Sequence, residues 1–184
     1  MNTRLYDLLS RRRMSVAGLY DIYVSLRPHP EFAADCVWAL RQLDAEKAWR
    51  AAWLLKRLAQ DGRLSDAELG AIAELSEEVN HWLARLMLCQ LFAAAGCPDT
   101  FRGSLYPYLR ECAGDQRVIV RAWAITALLR FRTVPGRRAE VDSLLRAARL
   151  EPSKAMRARL RRLPLRPEER DAARRARRSQ RSAD

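Results

Sequence analysis

The sequence predicts an all-α fold of antiparallel helix pairs that repeat about every 36 residues. Apolar residues recur with helical spacing between regularly placed glycines and prolines. An arginine returns at intervals of 35, 36 and 36 residues, and such self-similarity is typical of helical-repeat proteins. No segment has the sustained apolar and polar alternation of a half-buried strand.

Length and composition suit a single globular domain. A chain of 184 residues that is 49% hydrophobic is large enough to bury a continuous core without disulfides or metals. Its 7 Gly and 8 Pro are few, so most of the chain is expected to be helix and not loop. Charges throughout the first 30 residues argue against a signal peptide, and no uncharged apolar run reaches the length of a membrane span. We therefore expect a cytoplasmic protein.

Cysteine and histidine spacing predicts no metal site or cofactor. The sequence has 4 Cys and 2 His, without a C-x-x-C pair or the close spacing of zinc ligands. We expect the cysteines to be small buried helix residues, because free cysteine is among the most buried residue types.

The net charge of +12 is concentrated toward the end of the sequence, where residues 137–184 hold 16 of the 34 basic residues and 7 of the 22 acids. A positive field attracts nucleic acids and anionic surfaces. A bias in composition is the alternative, because all but three of the basic residues are arginine in an alanine-rich chain, as GC-rich codons produce.

Local signals predict where helices begin and end. Ser65 and Glu68 have the spacing of a capping box. Other candidate N-caps are Asp44, Asp99 or Thr100, Asp115 and Ser153. Four glycines follow apolar stretches where a helix C-terminus takes a left-handed residue: Gly62, Gly96, Gly114 and Gly136.

These signals predict an N-terminal pair over 3–13 and 16–26, then four pairs: 30–42 with 44–60, 65–77 with 79–95, 99–113 with 115–131, and 137–149 with 153–163. Short connections make neighbouring helices antiparallel. Pro107 predicts a kink. The domain is predicted over 1–163, with 1–27 as capping helices and 30–163 as four repeats, followed by a basic tail over 164–184 that we expect to be disordered.

The recurring arginines lie in the second helix of each pair: Arg50, Arg85, Arg121 and Arg157. An acid stands six positions before three of them, at Asp44, Asp115 and Glu151, whereas Val79 holds that place before Arg85. This pattern resembles the HEAT family, whose second helix typically opens with Asp and carries Arg or Lys six residues later. The resemblance covers 30–163 and implies a short right-handed α-α superhelix of four to five antiparallel helix pairs, HEAT-like or armadillo-like.

The resemblance also implies a structural ladder between successive repeats, with Asp44 paired to Arg50, Asp115 to Arg121 and Glu151 to Arg157. Arg85 belongs to the same ladder, but the acid that would pair with it is replaced by Val79. In HEAT stacks the second helices line the concave side. Candidate binding residues there are Lys47, Trp49, Trp53, Arg57, Trp82, Arg117, Trp123, Lys154 and Arg161. Core packing is the simpler interpretation of the tryptophans, and a solvated helix face that of the charges.

The leading hypothesis is a non-catalytic scaffold that binds a protein partner through its concave face. The alternative is a nucleic-acid-binding module, or a divergent relative of the HEAT-like alkylpurine DNA glycosylases, whose likeness is architectural. Arginines in the tail fit contact with nucleic acid or with an acidic partner: Arg170, Arg174, Arg175, Arg177, Arg178 and Arg181. Common catalytic motifs are absent, and His81 has no predictable nucleophile beside it, so we expect no chemistry of its own. A pocket for a small-molecule enzyme is a third possibility that sequence does not reveal.

Overall fold

The computed structural model describes residues 3–96, 99 and 102–163, and within these ranges the chain is helical and contains no strand. We number the helices α1 Thr3–Ser10, α2 Val16–Leu26, α3 Phe32–Gln42, α4 Ala48–Gln60, α5 Asp66–Leu75, α6 Trp82–Ala95, α7 Arg102–Cys112, α8 Val118–Leu128, α9 Arg138–Leu150 and α10 Lys154–Leu160. Short 3-10 turns, Ser76–Glu78 and Leu129–Thr133, follow α5 and α8. The tail over 164–184, Cys97 and Thr100 lie outside the described residues.

Every predicted helix is present, and the prediction of an all-helical fold is confirmed for the described part of the chain. The largest differences are at helix ends. α4 begins at Ala48 because Asp44 opens a separate turn, in which its carbonyl oxygen accepts from the backbone N–H of Lys47 at 3.0 Å. α7 continues on both sides of Pro107.

The caps follow local chemistry. Ser65 and Glu68 form the predicted capping box, and the Ser153 hydroxyl accepts from the N–H of Met156. Gly62 has φ +65°, a left-handed conformation that costs glycine little. The prediction for Gly114 is wrong. Its φ is not positive, because the chain leaves α7 through a tight turn in which its N–H bonds to the carbonyl of Glu111.

The helices pack in chain order within two sets. The first helices α1, α3, α5 and α7 each contact the next, and so do the second helices α2, α4, α6, α8 and α10. We call the latter set the second-helix layer. The contacts of α4 with α6 and of α6 with α8 are the most extensive of all. These two interfaces join the pairs to one another.

The core lies mostly in the second-helix layer. Leu54, Leu55, Leu88 and Leu91 are fully buried there, and burying each such side chain contributes about 1.5–3 kcal/mol. A smaller cluster forms around Met156, where α8, α9 and α10 meet. Among the described helices, none combines the length and the apolar character needed to cross a lipid bilayer.

Candidate binding surface

Basic residues are the only charged residues in four of the five second helices, whereas the fifth, α2, carries Asp21. α4, α6, α8 and α10 contain neither Asp nor Glu, and their charged residues are all basic: Arg50, Lys56, Arg57, Arg85, Arg121, Lys154, Arg157 and Arg159. The helices α3, α7 and α9 carry both basic and acidic residues, and α5 carries acids only. Only those cations that are not already paired within the fold are available to a ligand.

The Arg50 side chain is buried and hydrogen-bonded within the fold. It is 6% exposed, and its Nη1 donates to the carbonyl oxygens of Leu9 and Arg11, at 2.6 Å each. These carbonyls lie at the end of α1, where the last turn has no partners within the helix. Arg50 thus satisfies the C-terminus of α1 and holds it against α4.

Arg85 contacts a residue before its own helix, α6, and a residue before the next second helix, α8. Its Nε donates to the carbonyl of Val79 at 3.1 Å, so a backbone oxygen is used at the position that lacks an acid. Its Nη2 pairs with Glu111, and its Nη1 lies 3.6 Å from the Asp115 carboxylate. Asp115 is the acid six positions before Arg121.

Arg121 repeats this arrangement one unit later. Its Nη1 donates to the carbonyls of Asp115 and Gln116 at 2.7 and 2.9 Å, and its Nη2 donates to the Glu151 carboxylate at 2.6 Å. Glu151 stands six positions before Arg157. Each of these arginines therefore contacts the acid of the following repeat and is neutralised there.

The two ends of the predicted ladder are different. The Asp44 carboxylate accepts from the backbone N–H of Lys47 at 2.9 Å and pairs with its ammonium group, and these contacts lower the pKa of Asp44. Arg50 donates instead to the backbone carbonyls of Leu9 and Arg11 at the end of α1. At the other end Arg157 is exposed and forms no ion pair within the described ranges.

Two of the predicted tryptophans are covered by arginines from the following repeat. The guanidinium carbon of Arg117 lies 4.8 Å from the ring centroid of Trp82, and that of Arg159 lies 3.4 Å from the ring centroid of Trp123. Both rings are half-buried. Because one face of each ring already carries a cation, neither is an open stacking platform.

The two tryptophans of α4 are also covered, by the protein core or by neighbouring basic side chains. Trp53 is 8% exposed, and the Lys56 ammonium lies 5.4 Å from its ring centroid. Trp49 is half-buried, with the guanidinium of Arg50 at 5.9 Å. These residues are therefore mainly packing groups.

Arg57, also a predicted surface residue, is half-buried over aromatic rings of α2. Its guanidinium carbon lies 5.9 Å from the centroid of Tyr20 and 5.7 Å from that of Tyr23. Its Nη1 donates to the Gln60 amide oxygen at 3.2 Å. Sequence reasoning did not place these two tyrosines of α2 against Arg57 of α4.

One stripe of equivalent positions recurs on α6, α8 and α10, and its last member lies just after α10. Positions 36 residues apart occupy it, in three rows: Leu83, Ile119 and Ala155; Met87, Trp123 and Arg159; Gln90, Thr126 and Arg162. We call these nine residues the second-helix face. Ile119 is 38% exposed, and within the second-helix layer Val16 and Val24 on α2 are more exposed, at 58% and 42%. The face changes from apolar on α6 and α8 to basic on α10.

Arg159 connects the two parts of this face. Besides covering Trp123, its Nε donates to the Thr126 hydroxyl at 3.0 Å. Sequence reasoning missed Arg159, Ile119 and Leu83 as surface residues. The signal was present, because a comparison of residues 36 positions apart puts Arg159 in register with Trp123.

Unneutralised positive charge is concentrated on and just after α10. Within the described ranges no acid forms an ion pair with its five cations, which are Lys154, Arg157, Arg159, Arg161 and Arg162. Burial and the charge of Arg162 lower the pKa of Arg159. Two predicted surface residues, Lys154 and Arg161, belong to this group, and we call the five residues the α10 cation cluster.

Cys89 and Cys112 lie together in the core, where their mutual hydrogen bond raises the pKa of Cys89 and lowers that of Cys112, and Tyr108 is beside them with Arg85 over its ring. Cys36, Cys89 and Cys112 are buried and free, and no group of three or more metal-binding side chains occurs in the part of the chain that the structure describes. His81 packs against Trp82, and a cavity of about 160 Å³ beside it is lined by Arg41, Glu78 and Asn80 among others. No Ser, Thr, Cys or Lys is among the residues that line this cavity.

Comparison of this chain with protein-family models, with curated proteins and with solved structures finds no match.

Proposed function

We propose that this chain is a non-catalytic HEAT-like scaffold of the cytoplasm that binds a protein partner through a concave face made by its second helices. The observation that carries this proposal is the second-helix face, where Ile119 is 38% exposed and two residues, Trp123 one turn later and Leu83 at the equivalent position of α6, are half-buried. Exposed apolar side chains grouped on one face are typical of protein-binding surfaces.

The HEAT-like arrangement is supported by the order of packing. Each second helix contacts the next in the chain, as stacked repeats require. The contacts of Arg85 with Asp115 and of Arg121 with Glu151 join successive repeats at equivalent positions. A stack of this kind curves into a short right-handed superhelix, with α4, α6, α8 and α10 on its inner side.

The absence of chemistry is supported by what surrounds the charged groups. The helices α4, α6, α8 and α10 contain no carboxylate. The nearby Asp115 is paired with Arg85, and Asp44 with Lys47. A glycosylase mechanism that uses a carboxylate on the inner side would require Asp44 or Asp115 to be unpaired. The glycosylase form of the alternative therefore has less support than the scaffold.

The experiment compares two exposed aliphatic residues. Ile119→Asp places a charge on the second-helix face, and Leu150→Asp places the same charge on α9, where Leu150 is 86% exposed. Proteins retained by the immobilised full chain are quantified by mass spectrometry, after circular dichroism has shown that both variants are folded. A partner that is lost with Ile119→Asp and kept with Leu150→Asp supports the proposal. The reverse pattern contradicts it.

The α10 cation cluster favours a second candidate, binding of nucleic acid. Phosphate contacts release counterions, so affinity for a random duplex would fall steeply with salt. Charge reversal at Arg117 and Arg157 would remove part of that dependence, whereas reversal at Arg146, which is exposed on α9, would not. No retardation of DNA at low salt would end this candidate.

A further inference from the structure

We infer that the outer side of α2 binds the surface of an anionic lipid membrane. Apolar side chains of α2 enter the region between the headgroups and the acyl chains, and arginines around them bind the lipid phosphates. This surface is formed by other helices than the second-helix face, and it goes beyond the binding of a protein partner proposed there.

α2 exposes a row of apolar side chains to solvent. Val16, Tyr20 and Val24 are 58%, 49% and 42% exposed, and their spacing of i, i+4 and i+8 places them on one side of the helix. We call these three residues the α2 patch. The neighbouring side of the helix carries Leu19 and Tyr23, which are buried. The α2 patch is therefore the outward side of a helix that is packed on the fold.

The position of α2 at the end of the second-helix layer leaves this side uncovered. α2 is the first of the second helices, and its main packing partner is α4. The terminal helices of a repeat stack normally present a polar side to water, because no further unit covers them. Large apolar side chains grouped on an exposed helix face indicate a binding surface instead.

Two arginines lie at the α2 patch. Arg27 follows Val16 at i+11 and has helical backbone angles, which places it on the same side of α2, and its side chain is 45% exposed. Arg57 comes from α4, and its guanidinium carbon is 5.9 Å from the ring centroid of Tyr20. Exposed apolar groups and positive charge therefore share one surface.

Further positive charge precedes α2. Arg11, Arg12 and Arg13 are consecutive and exposed. Arg13 is three residues before Val16, which limits the separation of their Cα atoms to about 11 Å. No acid forms an ion pair with these three arginines in the part of the chain that the structure describes. Cations are thus present at both ends of the α2 patch.

Few acids oppose these cations. Asp21 is the one acid of α2, and it lies about 100° around the helix from Tyr20. Asp61 accepts from the hydroxyl of Tyr23, and its carboxylate is 3.8 Å from Nη1 of Arg27. At this distance, and with both side chains partly exposed, Asp61 offsets only part of the charge of Arg27. The surface around the patch remains positive.

This combination of groups fits a helix that lies in the plane of a membrane surface. Such helices bury an apolar side at the boundary of headgroups and acyl chains and carry arginine or lysine beside it. Tyrosine favours this boundary, because its ring is apolar and its hydroxyl stays hydrated. α2 extends about 16 Å, so Arg13 and Arg27 can reach headgroups on either side of the patch. Anionic lipids supply the counter-charge.

Other occupants fit the patch less well. Antiparallel pairing of two copies about Tyr20 would bring Arg27 of one copy to Arg13 of the other, and parallel pairing would bring the two Arg27 side chains together. An 11-residue helix also offers less than the about 800 Å² per partner of a stable interface. The tail over 164–184 has more arginines than acids and meets the same repulsion. A protein partner anchors best in a pocket, whereas a fluid bilayer conforms to the outside of one helix.

The test measures co-sedimentation of the full chain with lipid vesicles. One set of vesicles is phosphatidylcholine alone, and the other is phosphatidylcholine with phosphatidylserine at about 2:1. We expect saturable binding to the mixed vesicles and little binding to phosphatidylcholine alone. Added salt should weaken the binding without abolishing it, because salt screens charges and does not remove apolar contacts.

A pair of serine variants tests the apolar contact. Val16→Ser with Val24→Ser should weaken binding to the mixed vesicles by about threefold to tenfold. Leu150→Ser is the control, because Leu150 is 86% exposed on α9 and loses a comparable aliphatic area. It should leave the affinity unchanged. Circular dichroism establishes that both variants are folded.

A charge reversal tests the arginines. Arg13→Glu should weaken binding to the mixed vesicles by at least about fivefold, because an attraction beside the patch becomes a repulsion. Arg146→Glu changes the net charge equally at an exposed site on α9, and its effect should be clearly smaller.

Three results would overturn the inference: no saturable binding to the mixed vesicles, equal affinities of the valine variant and the Leu150→Ser control, or equal weakening by the two charge reversals. Loss of a cellular protein from the immobilised valine variant, with its vesicle binding unchanged, would also overturn it and assign the α2 patch to a protein partner. These outcomes are independent of the second-helix face, which Ile119→Asp tests separately.

Discussion

The Arg121 guanidinium on α8 donates to the Glu151 carboxylate at 2.6 Å, which ties α8 to a residue two positions before Ser153, the N-cap of α10, across 30 positions of the chain. The same guanidinium donates to the carbonyls of Asp115 and Gln116 before α8. The Arg121 side chain therefore bonds both to the backbone before its own helix, α8, and to a side chain before the next second helix, α10.

Arg121→Met should lower the free energy of unfolding by about 2–3 kcal/mol, because it leaves two carbonyls and a half-buried carboxylate without their charged donor. Glu151→Gln should cost only about 1 kcal/mol, since the amide oxygen still accepts. Urea denaturation measures both changes, and a double-mutant cycle gives the coupling. Arg146→Met is the control at an exposed site. A loss for Arg121→Met no larger than that of the control would contradict a structural role.

Arg50→Met should loosen α1 selectively. The substitution removes the donor to the carbonyls of Leu9 and Arg11, at a cost of about 2 kcal/mol. Amide hydrogen exchange should accelerate in α1 more than in α8, because the lost contacts lie at the end of α1. Arg12→Met, at an exposed position nearby, is the matched control. Uniform acceleration across both helices would show that Arg50 does not hold α1 in particular.

Tyr106 should make stability depend on alkaline pH. Burial and the hydrogen bond to Glu140 raise its pKa to about 12 from a normal value of 10.0. The folded state thus favours the neutral phenol, and this contribution is complete below pH 10 and lost as pH rises from 10 to 12. The stability difference between wild type and Tyr106→Phe should be constant up to about pH 9 and then shrink. Urea midpoints measured at several pH values test this. A difference that stays constant to pH 12 would refute it.

Two glycines should respond oppositely to alanine. Gly62 has φ +65°, so Gly62→Ala should destabilise by about 1 kcal/mol through backbone strain. Gly103 lies within α7, and a Cβ there would meet nothing within 4 Å. Gly103→Ala should therefore stabilise by about 0.5–1 kcal/mol. Thermal unfolding of the two variants measures the contrast, and the same sign of change in both would contradict it.

Local signals were sufficient for the positions of the helices. The Ser65 and Glu68 capping box and the left-handed Gly62 depend on neighbouring residues alone, and both were predicted correctly. Gly114 was not, because a tight turn after α7 uses an ordinary backbone conformation that composition does not reveal. The all-helical character of the described chain thus follows from short-range chemistry.

The sequence by itself determined the helices, their spacing and the recurrence of arginine, because each depends on residues within a few turns. Only the tertiary structure decided which cations are neutralised. Arg85 and Arg121 find acids 26 to 30 positions away, and Arg159 covers Trp123 after 36 positions. Such contacts depend on how one helix lies against another, so the free charge near α10 and the exposure of Ile119 emerge only when the helices pack.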